Sequence, residues 1–238
     1  MNGIFFKTST CNEKLAPREE IPRANGRLTF VARPPYMDCL YLPISLTCPS
    51  SCPHLDRDCY AQRLRLHKQI ERMVAAVSAA EVIQWAINEI DTMYLVRVPE
   101  DGCGRPRTVR LFVSGDCPDQ ASARKLAACE RRWSHKGGGR WFGSTHRWRT
   151  IPIEAWGNIR AYASIEHDYE IEKARNRGYA VWRTRHVHAN GIQPEYVDSI
   201  KLVSCPQQTM SGVTCATCRL CLDKDLYANK LGVVFAEH

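Results

Sequence analysis

No apolar run in this chain of 238 residues is long enough to cross a bilayer. The opening residues, MNGIFFKTST, have neither the apolar stretch nor the small-residue cleavage site of a secretory signal. No membrane partner and a cytoplasmic location are therefore the expectation. Cysteine, by contrast, is not scarce, with 12 residues. In a small secreted chain that number would build a disulfide framework. In a mid-sized chain without a signal it points to metal or redox chemistry. Nor is the charge balanced: 33 Lys and Arg face 25 Asp and Glu, for a net +8. Such a balance raises the expectation of a nucleic-acid or nucleotide partner. Bound clusters would reduce it. A [4Fe–4S]2+ core carries −2 with four thiolates and −1 with three, so two clusters would leave about +5. The apolar fraction of 44% is ordinary for a globular chain and enough for a sizeable core.

The cysteines fall into two groups. In CPQQTMSGVTCATCRLC, Cys205, Cys215, Cys218 and Cys221 are separated by nine, two and two residues. Two-residue gaps let neighbouring thiolates turn onto one ion or cluster, and a remote cysteine followed by Pro206 is the bacterial ferredoxin arrangement for an iron–sulfur cube. Zinc with four cysteine ligands is the alternative, as is a set of merely buried thiols. In TCPSSCPHLDRDCYA, Cys48, Cys52 and Cys59 are separated by three and six residues, with no fourth cysteine beside them. Three ligands on a four-iron cube leave one iron open for substrate or cofactor. The alternative is a closed site completed by Cys39 or Cys11.

The rest of the chain is read by periodicity. Residues 1–37 carry Pro17, Pro22, Pro34 and Pro35 and predict an irregular arm with one strand at Arg27–Ala32. Residues 38–204 form the expected core and 205–238 a cysteine-bearing C-terminal segment. Leu40–Leu46 is a short apolar run broken by Pro43. A long helix is predicted from Tyr60 to Glu89, from the spacing of Leu66, Ile70, Met73, Val74, Val77, Ile83 and Ile87. Strands are predicted at Val109–Val113, Trp141–Ser144, Arg160–Ala163, Tyr179–Trp182 and Ile200–Val203. Helices are predicted at Pro118–Ser134, after Pro152, at Tyr169–Arg177 and near Asp223–Lys230, with an apolar end at Gly232–Ala236. About six strands with mostly helical crossovers imply an α/β fold with a parallel sheet, doubly wound or a complete or partial barrel. Reactive residues recur where strands end: Cys48, Ser114 with Asp116, Thr145 with His146, Ser164, Arg185 and Cys205. That regularity favours the barrel layout, whose C-terminal face carries the site.

Other candidates are weighed against plainer readings. His146 is a proton donor or substrate ligand, or a structural histidine. Arg147, Arg149, Arg183 and Arg185 form an anion site or a solvated rim. Trp133, Trp141, Trp148, Trp156 and Trp182 are stacking platforms for bases or, more simply, core. Cys117 is expected to line the pocket, with Cys103 and Cys129 as packing thiols. His186 and His188 read as loop residues.

The cysteine loop after the first strand, the Ser114-Gly115-Asp116 turn after the second and the run of β/α units resemble the core of the radical S-adenosylmethionine (SAM) enzymes. That resemblance implies a partial (β/α)6 barrel and a four-iron cluster held by Cys48, Cys52 and Cys59. It further implies SAM on the open iron, with its amine at Gly115 and Asp116 and its carboxylate at Arg185. The C-terminal cysteines resemble the auxiliary cluster of many members. The cysteine spacing here is wider than in that superfamily, and Asp116 stands where glutamate is usual. Asn12 with Lys14-Leu15, TCPSSCPHLDRDCYA, RLFVSGD, STHRW, Ala163–Glu166, RGYAVW and the C-terminal cysteine run also resemble an actinobacteriophage and bacterial family known as gene product 88-like. Phage origin would make the compartment the host cytoplasm. The expected activity is reductive SAM cleavage and hydrogen abstraction from an unknown substrate, fed by an external reductant. A metal-stabilised module that binds nucleic acid or a host protein, and an electron-transfer protein, are the other two readings.

Overall fold

Alternation along the apolar runs decides which residues cover each face of a sheet. The computed structural model describes residues 5–8, 18–22, 28–32, 35–55, 59–63, 65–74, 76–96, 100–185, 193–223, 225–226 and 228–236. Its strands are β1 (Phe6–Thr8), β2 (Arg18–Pro22), β3 (Leu28–Ala32), β4 (Asp38–Tyr41), β5 (Val109–Ser114), β6 (Trp141–Thr145), β7 (Arg160–Ile165), β8 (Ala180–Arg185), β9 (Glu195–Val197), β10 (Ile200–Ser204) and β11 (Leu231–Ala236). Nine of them form one sheet in the order β1-β4-β5-β6-β7-β8-β11-β10-β9, and β2 pairs with β3 in a separate hairpin. Every neighbouring pair from β4 to β10 in that order is parallel. The edge strands β1 and β9 are antiparallel to their neighbours and do not pair with each other, so the sheet is open.

The expected strands all appear, most of them one or two residues longer. Three differences are found. The long helix predicted over Tyr60–Glu89 is a 3-10 turn at Tyr60–Arg63 followed by α2 (Arg65–Met73) and α3 (Ala79–Val96), after a one-turn α1 (Ile44–Thr47). Ser78 and Glu81 exchange bonds: the Ser78 N–H donates to Glu81 Oε2 at 2.8 Å and the Glu81 N–H to Ser78 Oγ at 3.3 Å. This reciprocal cap starts a new helix inside an apolar pattern that stays in phase on both sides. Second, the apolar end is β11, inserted between β8 and β10, while Phe6–Thr8 of the expected arm is the β1 edge. Strands from both expected appendages thus belong to the core sheet. Third, the described residues of 223–230 form turns and no helix, and the Glu195–Val197 strand was not expected.

The remaining helices are α4 (Gln120–His135), α5 (Glu170–Asn176), α6 (Pro206–Thr209) and α7 (Cys215–Cys218). The two faces of the sheet carry different partners. On one face Trp141 of β6 meets Trp133 of α4 edge-to-face, their ring centres 6.3 Å apart. On the other, Phe142, Tyr162, Trp182 and Phe235 from β6, β7, β8 and β11 pack ring against ring. The cysteine segment lies on this second face, where the Tyr162 hydroxyl donates to Cys221 O at 2.7 Å. Trp133, Trp141, Trp148, Trp156 and Trp182 are all buried. They are therefore core residues, the plainer of the two readings, and the stacking alternative falls away. No described helix is long and apolar enough to cross a membrane. Asn12, Lys14, Leu15, Cys11, His186 and His188 lie outside the described residues.

Two stability predictions follow from these local bonds. Asp119 caps α4 by accepting the Ser122 N–H at 2.7 Å, so Asp119→Ala should cost about 1 kcal/mol in urea unfolding. Asp101 is buried and accepts bonds from Cys103 N, Arg105 N and Arg105 Nε at 2.8, 3.2 and 2.8 Å. Burial pushes its carboxyl up, but these bonds outweigh it and hold the pKa below the usual carboxylate value. A depressed carboxyl stabilises the fold above its unfolded pKa and loses that contribution as pH falls through its folded one. Asp101→Asn should therefore be less stable than the parent at neutral pH. That gap should close as denaturation midpoints are followed to acid below the usual carboxylate range.

Candidate functional site

Because seven neighbouring strands run parallel, their C-terminal ends share one edge of the sheet. After β4 the chain passes Pro43 into α1, and Cys48 caps that turn through its N–H to Ile44 O at 3.1 Å. Thr47, just before the cysteine, donates its hydroxyl to Pro43 O at 2.6 Å and accepts the Asp116 N–H at 3.1 Å. The loop after β5 is thereby stitched to the loop after β4. Gly115 makes this approach possible. Its φ is +75°, and a Cβ there would stand 2.6 Å from Thr47 Oγ1 and 2.7 Å from Leu42 O. Asp116 extends the stitching: Oδ1 accepts the Cys117 N–H at 2.6 Å and Oδ2 the His146 N–H at 2.8 Å.

A cavity of about 190 Å³ opens over this edge. Cys48, Cys52, Cys59, Gly115, Asp116 and His146 all line it, so most of the residues singled out by sequence for the front site converge there. Phe112, Trp182 and Phe235 form apolar wall, and Ser144, Ser164 and Thr184 bring side chains from three neighbouring strands. The thiols stand close enough to perturb one another. Burial, then Asp116, Cys52 and Cys59, pushes the Cys48 thiol far up. Burial also raises Cys59, offset in part by the N–H groups of Ala61 and Gln62. Cys39 is not among the lining residues; it is buried on β4 beside Arg110 and Cys215, away from the place of a fourth front ligand.

Two residues that sequence reasoning gave no role join the site. His146 Nε2 lies 3.2 Å from Glu166 Oε1 and 3.9 Å from Cys52 Sγ, and His54 Nε2 lies 4.0 Å from the same Glu166 oxygen. Burial pulls the His146 ring down, but bonds with Asp116, Cys52 and Glu166 outweigh it and hold its pKa well above the usual histidine value. Burial pushes Glu166 up, and His146, with His54 and Arg149, brings it below the usual carboxylate value. The available signal was positional: Glu166 directly follows β7, as Gly115 and His146 directly follow their strands.

Arg185, expected to hold a carboxylate, pairs instead with Glu195 at 2.8 Å and Asp168 at 3.4 Å. Arg183 pairs with Asp168 at 2.8 Å, and Arg149 pairs with Glu170 while lying 4.2 Å over the Trp148 ring. None of these three, nor Arg147, lines the cavity. Arg149, Arg183 and Arg185 thus stand in ion pairs away from the cavity. Cys117 is buried and directs its thiol to Asp119 O at 3.3 Å rather than into the cavity. Cys129 is buried, as expected of a packing thiol, and Cys103 is exposed.

The rear cysteines gather on the aromatic face of the sheet. Cys205 directly follows β10. Thr214 caps the turn Cys215–Cys218 by a reciprocal bond with Thr217, and Arg219 in the left-handed region redirects the chain to Cys221. Burial and then Cys215, Cys205 and, more weakly, Cys218 push the Cys221 thiol well up, while Cys205 is raised by burial and Cys215 to about 11. Every described cysteine is a free thiol. Among the described residues no group of three or more His, Cys, Asp or Glu side chains is gathered to hold a single metal ion. Four sulfurs and three are, in number and kind, the donors a cube takes, in which each thiolate binds a different iron and need not share one ion's shell.

No family model matches the chain, and no curated protein or solved structure does either.

Gly115→Ala would force a side chain into the contact between the first two loops. It should cost about 2 kcal/mol or more in denaturant unfolding, from strain at positive φ plus overpacking.

Proposed function

We propose that this chain is an iron–sulfur protein with a radical-SAM-like partial β/α barrel, related by its motifs to the gene product 88-like proteins and acting on a substrate bound at the C-terminal edge of the sheet. One observation carries this reading: Cys48, Cys52, Cys59, Gly115, Asp116 and His146, from the segments that follow three neighbouring parallel strands, line one cavity. Cys48, Cys52 and Cys59 would hold a front cluster with one iron left for SAM, and Cys205, Cys215, Cys218 and Cys221 a rear one. Such groups supply one-electron and radical chemistry, and an external one-electron reductant would feed them.

The chain's own residues orient and protonate. Both carboxylate oxygens of Asp116 are already bonded, to Cys117 and His146. Asp116 is therefore read as a positioning residue that holds the loops together rather than as the direct ligand of a cofactor amine. Arg185, tied to Glu195 and Asp168, is set aside as a carboxylate ligand. His146 stands between the carboxylates of Asp116 and Glu166, which favour its protonated form, and is placed to give a proton to a group in the cavity. The binding-module reading loses its two local supports, since the tryptophans are core and most of the arginines are paired. It retains the net charge alone.

The test is anaerobic reconstitution with iron and zinc quantified, followed by EPR of the reduced protein with and without SAM. The expected result is about eight irons per chain and a spectrum that SAM perturbs. Cys48→Ala should fold, lose about four irons and lose the SAM effect. A Cys48→Ala protein that keeps all its iron, or wild type that takes zinc in place of iron, would overturn the reading.

A further inference from the structure

We propose that Arg110 is the built-in countercharge of the rear cysteine site and sets the reduction potential of what Cys205, Cys215, Cys218 and Cys221 hold. This rests on the iron–sulfur reading above. Arg110 stands on β5 and projects from the same face as Phe142, Tyr162 and Trp182. Its Nη1 donates to Cys215 Sγ at 3.4 Å, and its guanidinium lies 5.7 Å from the Trp182 ring centre. Arg110 lines the front cavity as well as the rear cleft, and Trp182 and Phe235 do so beside it. Arg219 also lines the rear cleft, where it faces Asp101 at 3.9 Å.

Four thiolates around a [4Fe–4S]2+ core leave −2 in a half-buried place. One added electron makes that −3. A guanidinium bonded to a ligand sulfur stabilises the more negative state more, which raises the potential and eases reduction. Its position between the two sites puts the same charge within reach of the front cavity, so the rear group and the cavity would be electrostatically linked through one side chain.

The experiment uses the full chain carrying Cys48→Ala, so that the rear signal stands alone, reconstituted anaerobically and titrated potentiometrically with EPR detection. Arg110, Arg110→Gln and Arg110→Lys are compared. At the potential where the Arg110 protein is half reduced, Arg110→Gln should show a reduced-to-oxidised ratio at least tenfold lower, which is about 59 mV for a one-electron couple. Arg110→Lys, which keeps the charge, should stay closer to the parent. Loss of rear iron in Arg110→Gln but not in Arg110→Lys would equally support the countercharge. Unchanged potentials with full iron would overturn it while leaving the iron–sulfur reading intact. A Lys variant that shifts as far as Gln, or loses its iron likewise, would assign the effect to packing and overturn the charge role. If the parent with Arg110 takes up no rear iron, the rear part of the iron–sulfur reading itself fails, and this inference with it.

Discussion

The buried carboxylate of Asp116 is the point on which the functional edge depends. A carboxylate in the interior is tolerated only when its oxygens are bonded. Here one oxygen takes the Cys117 N–H and the other the His146 N–H, while the Asp116 N–H is taken by the Thr47 hydroxyl. Three loops, after β4, β5 and β6, are thus held by one residue. The connection continues from the His146 ring to Glu166 after β7. Gly115 is the steric condition for all of it, because the turn after β5 lies against Leu42 and Thr47 too closely for a side chain.

The second constraint is the cost of collecting thiols. Each group crowds cysteines that burial and mutual charge push toward the protonated form. Such an arrangement gains most from a bound cation, since ligation requires the thiolate and releases the proton. The two groups are also placed on one face of one sheet. Trp182, Phe235 and the Arg110 side chain line both places and occupy the ground between them.

Much of this was legible in the chain. The cysteine spacings, the strand runs and the recurrence of Gly115, Asp116 and His146 at strand ends are local properties, set by alternation and by turn chemistry. What local pattern could not reveal was non-local. The apolar end Gly232–Ala236 carries no sign of its place, yet Leu231–Ala236 is a strand inserted between β8 and β10. The Ser78–Glu81 cap was present in the letters but hidden by apolar spacing that continued through it. Arg185 and its neighbours looked like an anion site because their partners, Asp168, Glu170 and Glu195, lie on other elements.

The sequence alone therefore determined an α/β chain with two thiol groups and a set of reactive residues at strand ends, since those features follow from neighbours a few positions apart. Only the tertiary structure decided which of these residues share a cavity and which are spent on one another. It drew in His54 and Glu166, withdrew Arg185 and the tryptophans, and set Arg110 between the two cysteine groups. The reason is physical: a side chain's availability depends on which partner burial brings to it, and parallel strands bring together partners that are distant along the chain.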